Sequence, residues 1–318
     1  MEKSGEATMS MEISTSLIMF LLAAAFDMII GEPPVGIHPV AWIGRLISFL
    51  RKHARPTKLC GLLVASLVIA VTVSVGHMLV WGAGQIPSVG SAVAVAFSAY
   101  LLKSTFAVRC LLQTSLDTGR MIDTDMSQAK DMLPALVGRE TKNLTRPQAT
   151  SAVIESLSEN YVDGILSPIL YFVVFEPFGL GLEAALAFKA ISTMDSMLGY
   201  KTSGLKELGF VPAKLDDLAN FIPARLSILL MAAANLRVAR NTIRTALRYH
   251  KATPSPNSGW PMSAAAGALG IRLEKPGFYV LLDEGKEPET QDIPLAVRLV
   301  GTTVATTLLT SILILYAI

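Results

Sequence analysis

Apolar residues in this chain gather into runs too long for ordinary strands and too unbroken for surface helices. Four runs, residues 15–30, 59–81, 89–108 and 299–318, approach or reach the about 20 residues that a bilayer-crossing helix needs. The first is short and follows a charged start, so a cleaved signal peptide is its competing reading. No small-residue cleavage site follows it; Gly31-Glu32-Pro33-Pro34 comes next, and the segment reads as a retained span. Two further runs are broken. Residues 165–187 are interrupted by Glu176-Pro177-Phe178-Gly179, and residues 221–234 are short and carry Pro223 and Arg225. Irregular backbone survives at membrane depth only where protein or a watery cavity satisfies its polar groups, so both predict re-entrant or half-buried helices around a site. Residues 116–136 and 148–163 predict soluble helices. Residues 237–249 predict an amphipathic one, with Arg237, Arg240, Arg244 and Arg248 within about 80° of one another on a helical wheel. Such a face suits anionic lipid headgroups or an anionic substrate.

Lysine and arginine set the expected orientation. The loop after the first span holds Arg45, Arg51, Lys52, Arg55 and Lys58, whereas the link 82–88 holds none, so the former is placed in the cytoplasm. A full crossing of 165–187 would strand Lys189, Lys201, Lys206 and Lys214 outside; a hairpin at Glu176-Pro177 returns them. The expectation is an all-α integral membrane protein of the cell membrane, with about four full transmembrane helices plus re-entrant or interfacial helices. Residues 1–108 hold three spans and a cytoplasmic loop, 109–298 form a catalytic region facing the cytoplasm and partly embedded, and 299–318 form the last span. Both termini lie outside.

Composition agrees with the pattern. The chain is 52% hydrophobic and 16% charged, with mean hydropathy +0.50, against roughly a quarter charged in soluble domains. A net charge of +2 is too small to argue for nucleic acid. Cys60 and Cys110 are too few for a disulfide framework or a zinc site.

Several polar groups stand where an apolar chain should not place them. Glu155, Glu159 and Asp163 recur at every fourth residue and lead into the broken run, with Asn160 among them. Like charges at that spacing repel. A solvated face tolerates them, and a divalent cation resolves them, since Mg²⁺ prefers carboxylate oxygens and substrate phosphates. Lys189, Ser192, Asp195, Ser196 and Lys201 share one apolar helix; the lysines suit phosphate oxygens or snorkel to the membrane edge. Asp216, Asp217 and Asn220 precede Arg225, as a metal-and-phosphate site or as a buried Asp–Arg pair. Ser255-Pro256-Asn257-Ser258-Gly259-Trp260-Pro261 is a turn feeding a small-residue helix, whose free N–H groups suit an anion or form a plain cap. Glu32 and His38 sit in a rigid polar turn after the first span. No phosphate loop of the G-x-x-x-x-G-K-[ST] type and no H-E-x-x-H zinc helix is present.

Together these residues resemble the membrane-bound adenosylcobinamide-phosphate synthases of cobalamin biosynthesis. The resemblance runs from Asp27 to about Tyr279. It is carried by Gly31-Glu32-Pro33-Pro34 with His38-Pro39-Val40 and Trp42, Val137-Gly138-Arg139-Glu140-Thr141, and Glu155 with Glu159-Asn160 and Asp163-Gly164. Lys189-Ala190 with Asp195-Ser196-Met197 and Gly199-Tyr200-Lys201 follow, then Asp216-Asp217 with Asn220, Pro223-Ala224-Arg225-Leu226, and the 255–261 turn. No one piece decides it; their order and spacing do. Ser192 stands where that family usually has Asn, Thr253 where it commonly has His, and Glu140 where it has Asp.

The resemblance implies an ATP-dependent amide ligation. A propionate carboxylate of the corrinoid adenosylcobyric acid is joined to aminopropanol phosphate, or to free aminopropanol. It implies ATP and Mg²⁺ as cofactors. Glu155, Glu159, Asp163, Asp195, Lys189 and Lys201 then become catalytic candidates, and Asp216, Asp217 and Asn220 metal ligands. Glu32, His38, Asn160, Arg225, Ser255, Asn257 and Ser258 become substrate contacts. The lipid bilayer is the remaining partner, with room for a homo-oligomer. Two alternatives stay open: broken helices with charges at membrane depth also describe a secondary transporter of a corrinoid or small anion, or a non-catalytic membrane sensor of the same family.

Overall fold

The computed structural model describes residues 2–133, 143–199 and 205–318, with side chains from Thr15 onward except that of Met132. Lys201 and the stretch 137–141 fall outside the described residues. The chain is helical almost throughout. In order it runs α1 (Glu2–Ile29), α2 (Pro39–His53), α3 (Lys58–Gly84), α4 (Gly90–Lys103), α5 (Val108–Thr124), α6 (Met126–Met132), α7 (Arg146–Tyr161) and α8 (Ser167–Phe175). Then come α9 (Gly181–Leu198), α10 (Phe210–Ala219), α11 (Phe221–Ala234), α12 (Ala239–Tyr249), α13 (Gly259–Leu269), a short ribbon β1 (Leu273–Lys275) and β2 (Tyr279–Leu281), and α14 (Asp292–Ala317).

Local sequence sets many of the ends. His38 caps α2 by accepting from the Val40 N–H, with Pro39 in the first turn, where its missing N–H is harmless. Thr57 caps α3, and Thr145 with Gln148 forms a reciprocal capping box on α7. Asp125 caps α6 and so splits the single helix expected over 116–136.

Five helical runs are long and apolar enough to cross a membrane: Lys58–Gly84, Gly90–Thr124, Arg146–Phe178, Phe210–Ala234 and Asp292–Ala317; Thr15–Ile29 is a shorter apolar helix. The expected count was four. Two expected partial segments gain length because the polar stretches before them, 146–164 and 210–220, continue as helix instead of ending it. On α3 the solvent-accessible side chains Leu59, Leu63, Leu67, Val71, Val75 and Met78 recur every three or four residues, and Gly61, Val64, Ala65, Val68 and Gly76 are buried. An apolar stripe of that length, unpartnered by protein, is the face a bilayer covers.

By contacts the chain forms two compact units. The first comprises Met1–Ala107, Ser167–Ala219 and Leu309–Ile318, and the second Val108–Leu166 and Asn220–Leu308. In the first, Ile43 and Ile47 of α2, Val64, Ala65 and Val68 of α3, and Ala190, Met194 and Leu198 of α9 form a core. Gly61 is required there, because a Cβ would lie 2.3 Å from the Leu208 carbonyl oxygen. The turn expected at 176–179 forms as a 3₁₀ turn closed by left-handed Gly179, and α8 and α9 pack as a hairpin. Its tip bonds Ser16 through Glu176, and α9 packs along α3, with Glu183 2.8 Å from His77 and Leu186 against Gly76.

In the second unit, α11, α12 and α13 share a small-residue core of Ile228, Met231, Ala246, Ala264 and Ala265, with Leu299 of α14. Between α7 and α8 lies a π-helical turn, Val162–Leu166. Pro168 offers no N–H to the carbonyl four residues back and its ring crowds that carbonyl, which favours a local widening there. The wider turn interrupts the 3.6-residue spacing on which Asp163 was aligned with Glu155 and Glu159.

Candidate functional site

In the first unit, the turn after α1 builds a buried ion network. Lys103, at the end of α4, is fully buried and lies 2.9 Å from Asp27 Oδ1 and 2.6 Å from Glu32 Oε1. Its Nζ also donates to the Phe106 carbonyl at 3.3 Å. His38 Nε2 lies 2.7 Å from the other Glu32 oxygen while Nδ1 accepts the Val40 N–H, which makes the ring the neutral Nε2–H tautomer. Burial works against the ionised form of Glu32, but hydrogen bonds from His38 and Lys103 outweigh it and hold the carboxyl below its ordinary range. Glu32 and His38, expected to meet substrate, are therefore also committed to this network. Asp27 was grouped with Glu32 and His38 in the sequence as part of one polar turn, but Lys103 was missed. Its signal was a lone lysine inside an apolar run, which must find a counter-charge or stay neutral.

The same unit holds the acidic residues of α9 and α10. Asp195 and Asp217 are near enough to repel electrostatically, Asp216 lies near Tyr171, and Lys214 Nζ reaches Asp217 Oδ2 at 2.8 Å. Asp195 lies against the backbone of Gly199, where a Cβ would meet its Oδ1 at 2.2 Å. Lys189 is half-buried on the same helix, and Thr193 donates to its carbonyl. Among the described residues no three His, Cys, Asp or Glu side chains converge as a ready metal cage. Two neighbouring carboxylates are nevertheless the donor set that Mg²⁺ uses when phosphate oxygens and water complete its shell. Asn220, the third expected ligand, is buried and begins the second unit.

The second unit brings four expected residues together. Arg225 Nη1 donates to the Phe221 carbonyl at 2.6 Å and to Asn257 Oδ1 at 3.4 Å. Its guanidinium lies over the Phe221 ring at 3.4 Å and 5.1 Å from the Trp260 ring, which in turn stacks on His250 at 3.7 Å. No carboxylate pairs with Arg225 among the described residues, so the alternative of a buried Asp–Arg pair is not what holds it. The turn itself is self-contained. Ser255 Oγ accepts from the N–H groups of Asn257 and Ser258, Ser258 Oγ donates to Thr253 Oγ1, and Thr253 Oγ1 donates to the Ser255 carbonyl. Ser255 and Ser258 thus shape the turn, and Thr253 closes it where a histidine was expected. Trp260 Nε1 is buried and has no acceptor among the described residues. A planar cation held by rings and by neutral oxygens, beside an unsatisfied indole N–H, fits an anionic ligand.

Also in the second unit, Glu155 is buried on α7 and accepts from Ser151 Oγ at 2.7 Å and from Tyr279 Oη at 2.6 Å. The β-ribbon, unforeseen in the sequence, delivers Tyr279, and its Glu274 N–H donates to Ser151 Oγ at 2.7 Å. Glu159, Asn160 and Asp163 are half-buried; Asn160 Nδ2 donates to the Ser156 carbonyl and hydroxyl. Substituting Tyr279→Phe removes one donor from a buried carboxylate and should cost about 1–3 kcal/mol. Thermal denaturation of the detergent-solubilised protein reads that cost; an unchanged midpoint would show that the contact does not hold Glu155.

Comparison with known proteins now bears on this geometry. The family model described as CobD/Cbib protein matches residues 20–300. The "Probable cobalamin biosynthesis protein CobD" of Methanothrix thermoacetophila is 50% identical over 303 residues, 93% of this chain and 96% of that protein. The protein of the same name from Methanothermobacter thermautotrophicus is 36% identical, over 88% of this chain and 92% of its own. The "Cobalamin biosynthesis protein CobD" of Photorhabdus laumondii is 36% identical, over 89% of this chain and 92% of its own. No solved structure matches.

Proposed function

This chain belongs to the CobD/Cbib family, and from that membership we propose that it is the adenosylcobinamide-phosphate synthase of cobalamin biosynthesis. The reaction joins a propionate carboxylate of adenosylcobyric acid to the amine of aminopropanol phosphate, or of free aminopropanol, at the expense of ATP. The observation that carries the reading is 50% identity across nearly the whole length of a relative named for this pathway.

A carboxylate and an amine do not condense in water unaided. Transfer of the terminal phosphoryl group of ATP to the carboxylate makes a leaving group; the amine then attacks the carbonyl carbon, loses a proton and expels phosphate. Most of the catalytic work is positioning and charge stabilisation. Arg225, held by Phe221, Trp260 and Asn257, binds a substrate phosphate or carboxylate. Glu155, fixed by two hydroxyls, orients a donor group or accepts the amine proton. Asp216 and Asp217 would hold Mg²⁺, which when bound neutralises phosphoryl charge, with Asp195 near Asp217; Lys189 on the same helix as Asp195 would supply a cation for phosphate. These roles are supported by the donor types and by the carboxylate-free seat of Arg225.

Incubating the purified protein with adenosylcobyric acid, aminopropanol phosphate and Mg-ATP should yield the amide, detected by its mass. Absence of product with either amine, in protein that is folded, overturns the reading. Asp217→Asn should remain folded and lose most turnover, with a higher Mg²⁺ requirement; near-normal turnover and Mg²⁺ dependence would remove Asp217 from the metal site.

A further inference from the structure

We propose that α12 is a lipid-binding element that holds the anionic headgroups of the membrane surface. The helix is two-faced. Thr242, Thr245 and Ala246 are buried against α11 and α13, while Arg240, Arg244, Leu247 and Arg248 are exposed, as is Arg237 in the turn just before the helix. Arg248 reaches Glu284 at 2.9 Å, but Arg237, Arg240 and Arg244 have no carboxylate partner among the described residues. Three adjacent cations without counter-charge repel one another, and an anionic surface is what relieves them.

Apolar groups accompany the charges. Leu236 is 79% exposed and Leu247 60%. Ile243 and Leu247 form an open, mostly apolar patch on the helix surface between Arg240, Arg244 and Arg248. Exposed apolar side chains beside arginines suit an interface where acyl carbon and phosphate lie within a few ångströms of each other. A free phosphate in water would leave those leucines unexplained.

Continuity with the membrane favours the same occupant. α12 follows the helical run Phe210–Ala234, which is apolar enough to enter a bilayer, after the tight turn Asn235–Val238, closed by Val238 N–H to the Asn235 carbonyl. Ile222 and Leu229 on α11 are 68% and 59% exposed, so the helix that α12 packs on also presents apolar side chains outward. A basic helix tied this closely to such a run lies at headgroup depth.

The test uses the full-length protein in detergent, with phosphatidylglycerol and phosphatidylcholine added in equal amounts and bound lipid counted by native mass spectrometry. The wild type should retain phosphatidylglycerol preferentially. The triple variant R237Q/R240Q/R244Q should lose that preference by about a hundredfold, the sum over three basic residues near an anionic surface. The triple lysine variant should keep most of it, which separates charge from misfolding. Equal lipid preference in wild type and glutamine variant would overturn the proposal. So would displacement of the lipid by millimolar inorganic phosphate, which would mark α12 as a site for soluble anions. The readout involves no amide formation, so it stands or falls apart from the proposed enzymatic activity.

Discussion

Replacing Lys103 by methionine should destabilise the protein by about 3–5 kcal/mol, the usual effect of removing one partner from a buried ionic network. Lys103 is fully buried and lies between Asp27, also fully buried, and Glu32. Methionine fills much of the same volume, so the loss is one of charge and hydrogen bonding rather than of packing. Thermal denaturation in detergent should show a midpoint lower by roughly 10 °C. The double variant Lys103→Met with Asp27→Asn should recover part of the loss, because neutralising the stranded carboxylate removes its desolvation penalty. A Lys103→Met protein that melts like the wild type would show that the network contributes nothing. Acid should act in the same direction. The carboxyl of Glu32 is held below its ordinary 4.5, so its contribution is complete above that value and is lost as pH falls through the lower, folded value. The melting temperature should therefore fall below about pH 4.5 in the wild type, and less steeply in Glu32→Gln.

Exchange of Arg225 for lysine should reduce turnover by about 10²–10³-fold, the range seen when one preorganised donor to developing charge is lost. Lysine keeps the charge but has neither the plane that lies over Phe221 at 3.4 Å nor the fork that reaches the Phe221 carbonyl and Asn257 together. Arg225→Ala should fall at least as far. Melting temperature decides what the loss means. A structural arginine would lower stability and leave turnover per folded molecule intact, whereas a substrate-binding one does the reverse. Normal turnover in Arg225→Lys would end its assignment to phosphate or carboxylate binding.

Much of the architecture was legible in the chain because bilayer-crossing helices advertise themselves by length. The runs now seen as α3 and α14, and the break at 176–179, follow from apolar continuity and from Pro177 and Gly179. The helix after the 255–261 turn and the basic face of α12 were likewise visible as local patterns. The continuous helical run Arg146–Phe178 was not visible, because the polar residues of α7 looked like the end of a membrane segment. They are covered instead by neighbouring elements, as Glu155 is by Ser151 and Tyr279. The β-ribbon was missed because strands of three residues carry too few positions to show a period.

By itself, the sequence determined the class of protein, the family, and the inventory of carboxylates, cations and turns, since each of these is a property of residue type and spacing along the chain. Which charge meets which was decided only in three dimensions. Lys103 is 76 residues from Asp27 by number yet lies 2.9 Å from it, and Glu155 finds its hydroxyl partner in Tyr279, 124 residues away. Arg225, for which a buried pair with the nearby aspartates was the alternative to a phosphate-binding role, lies over aromatic rings and reaches Asn257. The physical reason is that desolvation makes a buried charge choose its partner by geometry and burial, and the packing of helices sets both without regard to separation along the chain.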